Sequence, residues 1–160
     1  MKVYRIALTQ YCDDSGEGAK RFGGRWNLPG HPALYAGTSI ASSLLERLTI
    51  DPELFASDRY VKYSVMEINL PAEHILTPSL GELPAGWNLI PAAKSSMNYG
   101  TGLLQSGLLS FAVPSVVDPS SLNYVINPLS PKFNLIKYRV YPLPLDKRQI
   151  RSVLNNANSV

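Results

Sequence analysis

The sequence predicts a single α+β domain built from short strands and few helices. Three observations lead to this class. The chain has 160 residues, enough for one domain with a hydrophobic core and too few for two comfortable ones. Hydrophobic residues make up 45% and charged residues 17%, a balance typical of folded proteins. Segments in which apolar side chains alternate outnumber the segments with helical spacing.

Two strands and one helix are predicted in the first fifty residues. The segment 3–8 alternates like a half-buried strand and carries Arg5 on its less apolar face, away from the main core. Residues 9–32 are rich in Gly, Asp, Ser and Pro, so they predict a long irregular excursion before a short strand at 33–37. The segment 38–50 predicts a helix, because a capping hydroxyl precedes apolar residues at helical spacing.

The rest of the chain continues as mixed structure. Its segments are predicted as a strand at 59–70, a surface segment at 71–98, a short helix and a strand within 100–115, strands within 123–128 and 135–143, and a tail at 146–160 that is either marginally helical or frayed.

Composition narrows the classes of function. The net charge of +3 is spread without a dense basic block, which argues against sequence-independent nucleic-acid binding. The lone Cys12 has no disulfide or zinc partner, and His31 and His74 are far apart, so no metal site is predicted. The first residues lack a secretory signal, and no apolar run is long enough to span a membrane. These features favour the cytoplasm.

Several polar residues lie in apolar or glycine-rich settings. On the predicted helix, small hydroxyls surround one carboxylate and leave room for a ligand, although an ordinary surface glutamate fits the pattern equally well. The face in question holds Ser39, Ser42, Ser43, Glu46 and Thr49. The other candidates also have purely structural interpretations. Arg5 is consistent with a salt bridge and Arg25 with a solvated loop charge. Tyr35 is consistent with packing in the core and Ser115 with capping of a turn. Each candidate therefore has a structural alternative.

Taken together, the candidates favour an anionic ligand with an aromatic ring and a sugar. Gly23 and Gly24 allow a close backbone approach, and the Arg25 guanidinium matches phosphate oxygens. Tyr35 offers a stacking face for a heteroaromatic ring. Glu46 is suited to bind a ribose hydroxyl and to stabilise positive charge at an anomeric carbon as a C–N bond breaks.

The ordered motifs resemble the RES-domain family, the toxin half of bacterial RES–Xre toxin–antitoxin modules. The resemblance runs from about residue 3 to 145 and rests on "VYRI", "FGGRWNLPGHPALYAG", "ASSLLERL" and "VPSVVDPSSLNYVINP". It implies a RES domain at 1–145 and a separate tail at 146–160. It also implies the fold of the ADP-ribosyltransferase toxins, with short mixed strands and a helix that lines an NAD cleft.

The resemblance further implies an enzyme that consumes NAD+ as its substrate, without a metal. Family members break the nicotinamide–ribose bond and use water, phosphate or a protein side chain as acceptor. The implied catalytic residues are Glu46, Arg25, Tyr35 and Ser115, and the implied NAD-binding residues are Arg5, Arg25, Trp26, Tyr35 and Asn127. The implied partners are a cognate Xre-type antitoxin over the cleft and a second copy of the chain, with no membrane and no direct nucleic-acid contact except through the antitoxin.

Two other functions remain open at this stage. One is a small toxin-like ribonuclease that uses Arg25, Glu46 and a histidine, which is weakened because neither histidine lies in a motif. The other is a non-catalytic module that recognises a nucleotide or a protein through the glycine-rich loop that contains Gly23 and Gly24. Release of nicotinamide from NAD+ distinguishes an NAD-consuming enzyme from both of these alternatives.

Overall fold

In the part of the chain that the structure describes, one mixed sheet of seven strands carries three α-helices, and the predicted α+β class is confirmed. The computed structural model describes residues 1–151. The strands are β1 (Lys2–Leu8), β2 (Leu34–Gly37), β3 (Tyr63–Asn69), β4 (Ile75–Leu76), β5 (Ser110–Pro114), β6 (Leu122–Ile126) and β7 (Lys137–Pro142). The helices are α1 (Glu17–Phe22), α2 (Ile40–Ile50) and α3 (Lys94–Gln105).

The strands lie in the order β4-β5-β6-β2-β1-β3-β7. Neighbouring strands are antiparallel except β4 and β5, which are parallel. The short strand β2 pairs with β6, so that Tyr35 lies opposite Val125 and Gly37 lies opposite Asn123. This register determines which side chains of β2 and β6 become neighbours.

The two longer helices pack on the same side of the sheet, which we call the helix face. Helix α2 covers Ile6 and Val65, and α3 covers Phe111 and Val125. The opposite face holds a third apolar cluster that includes Val3, Ala7, Leu34, Ala36, Met66, Ile68, Tyr124 and Ile126. Because successive side chains of a strand point to opposite faces, every residue of the sheet is assigned to one face or the other.

Helix α2 begins where the sequence predicts. Ser39 caps it, since its Oγ accepts a hydrogen bond from the Ser42 backbone N–H at 3.0 Å and the Ser42 hydroxyl accepts one from the Ser39 N–H. The sequence suggested that the small hydroxyls of α2 leave room for a ligand, but the structure does not show such room. Ser42 and Ser43 are buried, and a Cβ on Gly37 would lie 2.6 Å from Ser43 Oγ. These residues are small because α2 lies directly on β2.

Three segments differ from the sequence-based prediction. The excursion at 9–32 contains α1, whose six residues are too few for a periodic signal. Helix α3 begins at Lys94, within the predicted surface segment. The sequence does not indicate this start, because the buried positions of α3 are mostly Ser, Gly and Thr. Strand β3 starts only at Tyr63, after a 3₁₀ turn. In the tail, Lys147–Gln149 form another 3₁₀ turn, and the remainder of the predicted tail, 152–160, lies outside the described residues.

Candidate active site

Glu46 lies on α2 and is half-buried above the start of β6. Its Oε1 accepts two hydrogen bonds, one from Ser115 Oγ at 2.6 Å and one from Asn123 Nδ2 at 2.7 Å. Within residues 1–151, Oε2 accepts no hydrogen bond and the carboxylate forms no salt bridge. Glu46 is therefore a carboxylate with one oxygen held by neutral donors and the other free of protein contacts.

Ser115 directly follows β5 and is buried. Its backbone N–H donates to Ser121 O, and its hydroxyl oxygen accepts from the Asp118 N–H at 2.9 Å. A hydroxyl has a single hydrogen, so an oxygen that accepts from Asp118 directs its own proton to Glu46. Ser115 is a turn residue, as one sequence interpretation held, and it also contacts the candidate carboxylate.

Tyr35 places its ring on the helix face, next to the strand that carries Asn123. Its hydroxyl donates to Asn27 Oδ1 at 2.6 Å and accepts from the Trp26 backbone N–H at 3.1 Å. Burial raises the pKa of Tyr35 well above its ordinary value, although the nearby positive charge of Arg25 opposes the rise. Tyr35 is thus a neutral ring that anchors the glycine-rich loop.

The glycine-rich loop folds closely around that hydroxyl. A Cβ on Gly24 would lie 2.6 Å from the Tyr35 hydroxyl oxygen and 2.9 Å from Asn27 Oδ1. The backbone of Gly24 and that of Asn27 also exchange hydrogen bonds in both directions. A side chain at Gly24 would displace Tyr35, so the loop requires glycine here for close approach.

Arg25 is half-buried beside Tyr35. Its Nη1 donates to Trp87 O at 2.9 Å and to Leu89 O at 2.7 Å. Within residues 1–151, Nη2 and Nε donate no hydrogen bond. The guanidinium is therefore anchored at one nitrogen, and its other donors remain available to an anionic ligand.

Trp26 lies beneath the site and not on its surface. Only 1% of it is exposed, and its ring stacks on Trp87 with centroids 6.2 Å apart. Tyr99 and Phe111 meet the ring edge-on. The structure therefore makes Trp26 part of the core that supports the loop, and it offers no exposed face for NAD+.

Asn127 is also separated from the Glu46 group. It follows the far end of β6, where its amide donates to Leu104 O and Leu108 O and accepts from the Leu129 N–H. Every polar atom of this buried side chain is already bonded within the fold. The structure thus gives Asn127 a scaffold role in place of the expected contact with NAD+.

Arg5 lies on the opposite face of the sheet from Glu46 and Tyr35. It shares that face with Val3 and Ala7, because side chains alternate along β1. Its guanidinium donates to Tyr11 O at 3.2 Å, and burial lowers the pKa of Arg5 below its usual value. The expectation that Arg5 points away from the core and joins Arg25 at one cleft is not supported, because the sheet lies between them.

Sequence reasoning missed Asn123, Asn27 and Trp87 as partners of the site residues. Asn123 carried a usable signal, since it lies two residues before the buried Val125 and therefore shares its face of β6. A polar residue at such a position requires a polar partner. The carbonyls of Trp87 and Leu89 carried no signal, because any residue provides a backbone acceptor.

The arrangement places a carboxylate, a neutral aromatic ring and a guanidinium on one side of the sheet. Tyr35 and Asn123 are diagonal neighbours on β2 and β6, a spacing of about 7–8 Å between Cα atoms. No group of three potential metal ligands occurs within residues 1–151. No helix in that part of the chain is long and apolar enough to cross a bilayer.

Comparisons with known proteins identify the family of this chain. The family model described as "RES domain" matches residues 2–147. The chain is 38% identical over 155 residues to the Prs ADP-ribosylating toxin of Sphingobium sp. strain YBL2, which covers 94% of this chain and 95% of that protein. It is 31% identical over 146 residues to Toxin Res of Yersinia enterocolitica, which covers 89% of this chain and 94% of that toxin.

A solved structure shares the fold. The crystal structure of the M. tuberculosis MbcT–MbcA toxin–antitoxin complex contains a chain that superposes with a TM-score of 0.69 at 20% identity. The match covers 89% of this chain and 83% of that one. At this identity the likeness concerns the architecture alone.

Proposed function

Because the chain belongs to the RES domain family, we propose that it is a toxin of a bacterial toxin–antitoxin pair that cleaves the nicotinamide–ribose bond of NAD+. One curated relative is named an ADP-ribosylating toxin, and NAD+ is the donor in that class of reaction. The observation that carries the proposal is the state of Glu46: one oxygen is fixed by two donors and the other is free to meet a substrate.

Glu46 is proposed to act on the sugar. Its free oxygen accepts a hydrogen bond from a hydroxyl of the nicotinamide ribose, and its charge stabilises the positive charge that grows at the anomeric carbon. Nicotinamide leaves NAD+ as a neutral molecule, so its departure requires no strong general acid. Catalysis then comes from positioning and from a fixed negative charge.

Arg25 and Tyr35 are proposed to hold the dinucleotide. The free nitrogens of Arg25 bind pyrophosphate or adjacent ribose oxygens, while Nη1 keeps its hydrogen bonds to the carbonyls of Trp87 and Leu89. The Tyr35 ring packs on the nicotinamide side, and its raised pKa keeps it an uncharged surface. Ser115 orients Glu46.

The bond that forms depends on the acceptor. Water gives ADP-ribose and a proton, phosphate gives a phosphorylated ADP-ribose, and a protein side chain gives an ADP-ribosylated protein. In each case the C–N bond breaks, and the electron pair leaves with nicotinamide. All three reactions therefore release the same first product.

The experiment incubates the purified protein with NAD+, with and without phosphate, and follows nicotinamide by chromatography. We expect nicotinamide release by the wild type and at least about a hundredfold less by Arg25→Ala, the scale of one well-placed electrostatic contact. The matched control is Arg21→Ala, because Arg21 is an exposed arginine close to Arg25 in the sequence whose side chain, within residues 1–151, pairs only with Glu17, at 3.1 Å. Its release should equal that of the wild type.

Two results would contradict the proposal. RNA cleavage without nicotinamide release would favour a ribonuclease. Saturable binding of NAD+ without turnover would favour a non-catalytic module. Equal activity of Arg25→Ala and Arg21→Ala would remove Arg25 from the site.

The proposed partner is a cognate Xre-type antitoxin that covers this cleft in the cytoplasm, and the chain is proposed to form a homodimer. An acidic side chain or a terminal carboxylate of the antitoxin would pair with Arg25. Arg5 is not part of this surface, because it lies across the sheet. A complex that leaves Arg25 solvated would contradict the docking, and sedimentation of the free protein tests the dimer.

A further inference from the structure

Two donors from neighbouring strands meet at one oxygen of Glu46. Asn123 lies at the start of β6, and Ser115 follows the end of β5, which is the same edge of this antiparallel pair. Their donor atoms lie 2.7 Å and 2.6 Å from Glu46 Oε1. Both lengths fall in the range of hydrogen bonds strengthened by a charge.

The Ser115 donor is itself fixed by its turn. Its hydroxyl oxygen accepts from the Asp118 N–H, and Asp118 in turn accepts from the hydroxyls of Ser120 and Ser121. These bonds hold the pKa of Asp118 below its usual value, so this carboxylate remains charged within the turn. The turn thus orients the Ser115 hydroxyl toward Glu46.

The Asn123 donor is held by the sheet. Its backbone pairs with Gly37 on one side and with Val113 on the other, so Asn123 occupies an interior strand. Because Gly37 has no side chain, α2 approaches β2 closely and Glu46 comes within reach of the Asn123 amide. The backbone of Asn123 is therefore held between two neighbouring strands of the sheet.

We propose that Asn123 is a positioning residue for Glu46. Together with Ser115 it immobilises Oε1 and leaves Oε2 as the oxygen that meets a sugar hydroxyl of the substrate. The inference rests on the proposed function, since it assigns Asn123 a part in the same reaction. It goes further, because it makes the neutral side chain of Asn123 necessary for turnover without any contact between Asn123 and NAD+.

A carboxylate on a helix has several rotamers, and a single donor restricts only some of them. Two donors on the same oxygen select one orientation before the substrate arrives, which avoids reorganisation during the reaction. Loss of Asn123 should therefore lower kcat more than it raises KM. A residue that only supported the fold would lower the melting temperature and leave the turnover of the folded fraction intact.

The kinetic test compares Asn123→Ala with Ser110→Ala. Ser110 is a buried residue of β5 whose hydroxyl donates to His74 O at 3.2 Å, at the other end of the strand from Ser115. We expect kcat for nicotinamide release to fall about ten- to hundredfold in Asn123→Ala, the factor of one hydrogen bond to a charged group. KM should stay near the wild-type value, and Ser110→Ala should keep the wild-type kcat.

Asn123→Asp sharpens the test, because it keeps the size of the side chain and replaces the donor by a second carboxylate. We expect a larger loss of kcat than in Asn123→Ala, since like charges at this distance repel. A wild-type kcat in either folded variant would overturn the positioning role and leave the proposed function standing.

A second measurement does not depend on activity. The unfolding free energies of Glu46→Ala, Asn123→Ala and the double variant form a cycle, and the two losses should be non-additive if the side chains bond in solution. Strict additivity would overturn the inference. Absence of nicotinamide release by the wild type would overturn the proposed function, and the role of Asn123 in turnover with it, whatever the cycle shows.

Discussion

Two glutamates on the helix face of the sheet have opposite surroundings. Glu67, on β3, meets Lys2 Nζ at 2.9 Å with Oε1 and Arg139 Nη2 at 3.0 Å with Oε2. These cations hold the pKa of Glu67 at about 2, well below its usual value of 4.5. Among the described residues, Glu46 meets only neutral donors, and both bond the same oxygen.

The difference separates a structural carboxylate from one suited to chemistry. The charge of Glu67 is neutralised within the fold, so it stabilises the pairing of β3 with β1 and β7. The charge of Glu46 is oriented but not neutralised, so it remains available to a substrate that develops positive charge. Hydrophobic periodicity alone does not distinguish the two glutamates, since each lies in a segment that alternates or repeats like an amphipathic element, whereas the family motif includes only Glu46.

The largest expected effect is on turnover. Glu46→Gln keeps the shape and an acceptor oxygen but removes the charge, so we expect nicotinamide release to fall at least about a hundredfold. Glu67→Gln is the matched control and should keep the turnover of the wild type. Equal activity of the two variants, measured on folded protein at saturating NAD+, would contradict the distinction.

The next largest effect is on stability, where Glu67→Gln should lose more than Glu46→Gln, the reverse of the order expected for turnover. Glu67→Gln breaks two ion pairs and should lower the melting temperature at pH 7, whereas Glu46→Gln should change it little. Thermal unfolding followed by circular dichroism measures both. A larger drop in Glu46→Gln would show that Glu46 is the structural residue.

The contribution of Glu67 to stability should depend on pH. Its folded-state pKa is depressed, so the stabilisation is fully present above the unfolded value near 4.5 and is lost as the pH falls toward about 2. The difference in unfolding free energy between the wild type and Glu67→Gln should therefore shrink over this window. A difference that stays constant from pH 5 to about pH 2 would contradict the ion-pair assignment.

The smallest effect is expected from one cation alone. Lys2→Met removes one partner of Glu67 and leaves Arg139, so the melting temperature should fall less than in Glu67→Gln. Exposed pairs are weak and are screened by salt. Added salt should therefore reduce the difference in melting temperature between Lys2→Met and the wild type, which differential scanning calorimetry measures.

Local patterns in the sequence predicted the fold where one segment carries its own signal. The alternation in β1 and the capped apolar spacing of α2 are such signals. The sequence predicts α3 too late in the chain, because the buried side of this helix is made of small residues: a Cβ on Gly100 would lie 2.0 Å from Trp26 O. Small residues there allow the helix to approach the loop, and hydrophobic periodicity does not record this requirement.

The candidate site was predicted in part. The motifs pointed to Glu46, Ser115, Arg25 and Tyr35, which the structure places on the helix face or beside it. The sequence misplaces Arg5 because apolar clusters cover both faces of β1, so a place on the less apolar face does not show which face meets α2. Asn123 becomes visible only when β5, β6 and α2 are assembled.

The hydrogen bonds of Glu46 span 69 and 77 positions along the chain. During synthesis, α2 leaves the ribosome long before the strand that completes the carboxylate's surroundings. Contacts of such long range form late in folding, because the intervening loop must close first. A nascent or truncated chain that ends before β6 therefore lacks the proposed catalytic arrangement, and under this proposal activity would arise only after most of the chain has been made.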